Sequence, residues 1–150
     1  MAGSSTARQF RYDLADPLAY LDAERLRTEE PAVEWVPVHD PPAYRCAEEI
    51  EALRSDVELR AAAMGLQPVR WPDPFPFDSR QAMLAATYAK QIGRAVAFSL
   101  AAFRQAFAGG RALDQDTILI AAAACEMHPR AVLKALETRG VHDALAEASP

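Results

Sequence analysis

The chain has 150 residues, 16 basic and 21 acidic side chains, and a net charge of −5. That length fits one domain, and the acidic balance argues against a nucleic-acid binder, which normally shows a concentrated basic surface. Hydrophobic residues make up 51%, too many for a disordered chain. With 32 alanines among them, a core of closely packed helices is expected.

In chain order, Met1–Arg8 is small and polar and is expected to be disordered. Phe10, Tyr12 and Leu14 then alternate with Arg11 and Asp13, a period of two that marks a strand. Asp16-Pro17 follows, an N-cap with proline at the first helical position. The helix it opens carries Leu18, Leu21, Leu26, Ala19 and Ala23 on one side, with Glu24 and Arg27 pointing away, and ends at Glu29-Glu30-Pro31. Residues 33–38 form a second strand rich in β-branched and aromatic side chains, and its Pro37 suits a sheet edge. A strand–helix–strand unit of this size predicts two parallel strands.

Tyr44 to Met64 reads as a helix ending at Gly65. Residues 67–78 contain four prolines, and no helix survives that spacing. Trp71, Phe75 and Phe77 predict that this segment is pinned to the body. Ala82, Ala85, Ala86 and Ala89 recur at helical spacing, Gly93 marks a break, and Val96, Leu100, Phe103 and Phe107 form the next stripe up to Gly109-Gly110. Asp114 caps a helix carrying Ile118, Ala121, Ala122 and Cys125; Pro129 opens another with Val132, Leu133 and Leu136 that stops at Gly140. Residues 141–150 complete the chain as a short helical tail.

Several chemistries have no foothold. Neither phosphate-binding glycine loop occurs, nor a nucleophile elbow, nor an H-E-x-x-H motif. The two cysteines, Cys46 and Cys125, form neither a disulfide framework nor a C-x-x-C pair. Cys125-x-x-His128 has ligand spacing, with His39 and Cys46 conceivable beside it, yet no second tight pair supports a metal. Cys125 reads instead as a small buried hydrophobe. Residues 1–10 lack the apolar run of a signal peptide. The apolar stretches 95–103 and 117–125 fall well short of the roughly 18–20 residues of a membrane span. A cytoplasmic protein without membrane contact is expected.

The junction Tyr12-Asp13-Leu14-Ala15-Asp16-Pro17-Leu18-Ala19-Tyr20-Leu21 resembles the active-site corner of the DsbA-like branch of the thioredoxin superfamily. It is similar in particular to 2-hydroxychromene-2-carboxylate isomerases and kappa-class glutathione transferases. The resemblance continues through Trp35-Val36-Pro37-Val38, through Ala61-Ala62-Ala63-Met64-Gly65-Leu66, through the proline-rich segment, and into Asp143-Ala144-Leu145. It implies an α/β, helix-rich, incomplete thioredoxin-like fold as one domain over 1–150. A β-α-β unit would occupy 8–38, a helical insertion 42–140 and a tail 141–150, and the sequence ends before the family's cis-proline loop and last strands.

By the same resemblance, the cofactor is glutathione and the substrate a small aromatic acid, turned over by isomerase or transferase chemistry. Asp16 stands where the family has its catalytic serine or cysteine, and Pro17, Tyr20, Ser79 and Arg80 stand at substrate-contacting positions. Each also has a plainer reading: Asp16 as an N-cap, Tyr20 packed under the loop, Asp78 or Ser79 as the cap of the next helix, Arg80 solvated on its first turn. The competing class is a non-catalytic remnant or interaction module. A thiol–disulfide oxidoreductase is disfavoured because Asp16-Pro17-Leu18-Ala19 contains no sulfur. Absent later strands would leave the first strand with an unpaired edge, an invitation to self-association.

Overall fold

The computed structural model describes residues 8–150. In order come β1 (Gln9–Tyr12), α1 (Pro17–Glu29), β2 (Glu34–Pro37), α2 (Ala47–Ala63), α3 (Arg80–Gln91), α4 (Ala95–Phe107), α5 (Gln115–Ala124), α6 (Pro129–Ala135) and α7 (Arg139–Ala148). The disorder expected for the amino terminus falls outside the described residues except at Arg8. That residue is tied in, since its carbonyl accepts from Glu34 N at 3.1 Å and its guanidinium pairs with Glu30.

The two strands are parallel, as their spacing predicts, with Phe10 opposite Trp35 and Tyr12 opposite Pro37. Side chains alternate across a strand, so Phe10, Tyr12 and Trp35 share one face. Their rings lie 5.0 to 5.5 Å apart. Tyr12 also meets the Phe103 ring of α4 at 5.8 Å, and its hydroxyl hydrogen-bonds Ser99 Oγ at 2.5 Å. Tyr12 is 2% exposed, and this single bond satisfies a phenol that would otherwise be costly to bury.

Helices α3 and α4 form the centre of the body. Ala82, Ala85, Ala86 and Ala89 are all buried, so the small-residue face serves close packing. Gly93, at φ +77, ends α3. Arg94 N bonds to Ala89 O at 2.7 Å and Gly93 N to Lys90 O at 3.1 Å, a Schellman closure that needs the left-handed glycine. On α4, Leu100, Phe103 and Phe107 are buried as the stripe predicts, whereas Val96 is exposed. Asp114 caps α5 as expected, accepting from Thr117 N at 2.9 Å. The proline-rich segment is pinned: Arg70 N donates to Phe107 O at 2.8 Å, and Trp71 Nε1 donates to Glu58 at 2.8 Å.

Further sequence expectations need correction. Glu24 does not point away from the body; its carboxylate takes a two-pronged hydrogen bond from Arg104 at 2.8 and 2.9 Å. Leu18 and Leu133, assigned to buried faces, are exposed. Cys125 is partly exposed because it caps the carboxyl end of α5 instead of continuing its stripe. Gly140 does not stop a helix, and the boundary at 141 dissolves, because α7 begins at Arg139. Glycine keeps its N–H and disfavours a helix only through backbone entropy, by roughly 0.5–1 kcal/mol, which does not stop a helix whose Val141 and Leu145 are buried against the body.

Candidate functional site

The sequence points to the corner where β1 passes into α1. The strand ends at Tyr12 and the chain turns inward, so Asp13 is 3% exposed. One carboxylate oxygen accepts from Ala15 N and the other from Asp40 N, both at 2.9 Å. A single side chain thereby holds the turn and ties it to the loop after β2. Burial pushes the Asp13 carboxyl up, opposed by these amide bonds, by Ser79 and by the charge of His39. Ser79 comes from the residue before α3 and is 1% exposed. It lies close enough to favour the carboxylate, yet its hydroxyl makes no hydrogen bond of ordinary geometry among the described residues.

Asp16 is the N-cap of α1, accepting from Leu18 N at 3.0 Å. Its carboxyl is pushed up by burial and held back by the amides of Leu18 and Ala19; the neighbouring Asp13 and Asp22 push it further up. The corner thus supplies a hydrogen-bond acceptor and no sulfur. Free amides at a helix amino end attract an anion, and here a resident carboxylate takes that place. Pro17 is buried at the first helical position.

The other expected site residues diverge. Tyr20 is buried in the body, its ring 6.1 Å from Phe103 and 5.7 Å from Phe107. Burial first, and then the negative charge of Glu24, push its phenol up to about 12. Arg80 turns away from its neighbour Ser79. Its Nη2 meets His142 Nδ1 at 3.3 Å, while His142 Nε2 contacts Leu136 O at 2.7 Å. That pattern assigns the Nε2–H tautomer, since Arg80 only donates and the carbonyl only accepts. Ser79 therefore belongs with Asp13, and Arg80 with α7.

Sequence reasoning passed over Asp13 and Tyr44. Strand alternation places Asp13 with the outward set, but a carboxylate two residues before a turn amide bends the chain locally. That was the available signal. Tyr44 packs 5.9 Å from Phe75. Its phenol is pushed up to about 12 by burial first, then by Asp16 and Glu49. Trp71 and Phe75 line the same side, 5.0 Å apart, with the Arg54 guanidinium over both rings. They anchor the loop, as the plainer sequence reading has it.

Sulfur lies elsewhere. Cys46 is exposed at the start of α2, and the Cys125 thiol is pushed up by burial beside Arg94. His128 caps α6, its Nδ1 accepting from Arg130 N at 3.1 Å. Among the described residues no group of three or more His, Cys, Asp or Glu side chains is placed to hold a metal, and no helix is long and apolar enough to cross a membrane.

This architecture is that of the DsbA-like thioredoxin fold, with the helical body inserted after the first β-α-β unit. A 2-hydroxychromene-2-carboxylate isomerase matches with a TM-score of 0.79 at 17% identity, over 93% of this chain and 75% of the isomerase. A probable DsbA oxidoreductase from Streptomyces coelicolor matches with a TM-score of 0.71 at 20% identity, over 94% of this chain and 72% of the oxidoreductase. No protein-family model and no curated protein matches the sequence. The fold class read from the sequence is the one observed.

Proposed function

We propose that the protein is a cytoplasmic, thiol-silent form of the DsbA-like frame, acting through binding and not through sulfur chemistry. One observation carries this reading: the Asp16 carboxylate occupies the amino end of α1, at 3.0 Å from Leu18 N. A helix amino end favours an anion by roughly 0.3–1 kcal/mol at exposed sites. A thiolate brought to the same place meets a second negative charge, and two unit charges about 4 Å apart repel by about 4 kcal/mol at an effective dielectric near 20. A carboxylate also has no proton to donate to the incoming sulfur.

The second reading is glutathione-dependent isomerase or transferase chemistry on a small aromatic acid. The close backbone match to an isomerase favours it. Ultraviolet titration of the glutathione thiol in the presence of the protein separates the two. With Asp16 intact, an unshifted thiol pKa and no acceleration of insulin reduction by dithiothreitol are expected. Asp16→Ser keeps a good N-cap and removes the repulsion. A depressed thiol pKa in the unaltered protein would put the isomerase reading first.

A further inference from the structure

The two edges of the small sheet are treated differently. In a parallel ladder both polar groups of one residue face the same side, alternating along the strand. Glu34 N donates to Arg8 O and Val38 N to Tyr12 O, so residues 34, 36 and 38 face β1 while Trp35 and Pro37 face outward. That outer edge of β2 is blunted. Pro37 has no N–H to offer, and Lys90 Nζ donates to the Trp35 carbonyl at 2.9 Å. Proline and lysine are the standard means of blunting an edge.

On β1 the same parity turns Phe10 and Tyr12 toward β2 and leaves the N–H and C=O groups of Gln9 and Arg11 facing outward. No described residue bonds to these outward groups, and both residues are exposed. The Arg11 side chain leaves the edge, reaching the Ala148 carbonyl at the end of α7.

We infer that the outer edge of β1 is an interaction surface for a second copy of this chain, pairing antiparallel about a two-fold axis at Phe10. The register follows from which groups are free. Gln9 of one copy exchanges both hydrogen bonds with Arg11 of the other, and the symmetric pair repeats this across the axis. Like charges directly opposite are unfavourable; in this register each Arg11 faces a glutamine and never the other arginine. Glu34, which accepts from Gln9 Nε2 at 3.1 Å, then lies on the same face as the incoming Arg11, one strand further in. The product is a four-stranded sheet with β2, and so a blunted edge, on each outside. The inference does not depend on how the Asp16 corner is read.

Hydrogen exchange combined with sedimentation over a wide concentration range tests it residue by residue. In dilute solution the Phe10 and Tyr12 amides are expected to be protected and those of Gln9 and Arg11 to exchange freely. At high concentration all four are expected to be protected as the dimer forms. Arg11→Pro deletes one outward donor per copy without touching the bonds to β2, and is expected to weaken the dimer about tenfold or more. Should that variant fold poorly, the exchange pattern of the unaltered protein decides alone. A monomer at every concentration overturns the proposal, whether the Gln9 and Arg11 amides stay open or are already protected by another segment of the same polypeptide.

Discussion

Helices α4 and α2 show two ways of belonging to one body. Of the 13 residues of α4, seven are buried, among them Phe98, Phe103 and Phe107. Of the 17 residues of α2, only Val57 and Ala61 are. The first helix is held by its own apolar surface, at roughly 1.5–3 kcal/mol for each large side chain removed from water. The second packs on α1 through a small buried face and is tied from outside as well, by Trp71 hydrogen-bonded to Glu58 and the rings of Trp71 and Phe75 under Arg54. A long helix can therefore lean on a loop as well as on a neighbouring helix.

The contrast breaks most visibly at Phe103, which touches both Tyr12 and Tyr20. Phe103→Ala is expected to cost about 3–5 kcal/mol, read from urea denaturation; a loss below about 1 kcal/mol would mean α4 is not the central support. Trp71→Phe keeps a ring under Arg54 but deletes the donor to Glu58. It is expected to cost about 0.5–1.5 kcal/mol and to raise amide exchange in α2 more than in α4. Equal exchange in both helices would show that the loop does not position α2. The smallest effect belongs to Leu59, 73% exposed on α2. Leu59→Ala is expected to stay within about 0.5 kcal/mol, and a larger thermal shift would reveal a contact that α2 makes in solution.

What the sequence disclosed was mostly local. Asp16-Pro17 announces the start of α1, Gly93 the break between α3 and α4, and Asp114 the cap of α5, because each depends on groups within a few residues. The parallel pairing of the strands follows from the length of the crossover between them. Glu24 was misread because its partner Arg104 lies 80 residues further on. Asp13 was misread because the strand stops one residue before it, and no periodicity reports where a strand ends. At the candidate site, the cap role of Asp16 was legible. The separation of Ser79 from Arg80 was not, since it depends on His142 reaching back across 62 positions.

The bond between Tyr12 and Ser99 spans 87 residues, and this has a bearing on how the protein is made. Translation delivers β1 and β2 early, and a two-stranded sheet is marginal alone in water. Its aromatic face gains its partner only when α4 has left the ribosome, and the Arg11 side chain waits longer still for Ala148, 137 residues on. At about 5–20 residues per second, that is an interval of seconds during which Phe10, Tyr12 and Trp35 are open to whatever apolar surface is nearby. Those three rings gain their cover from the body only after that delay.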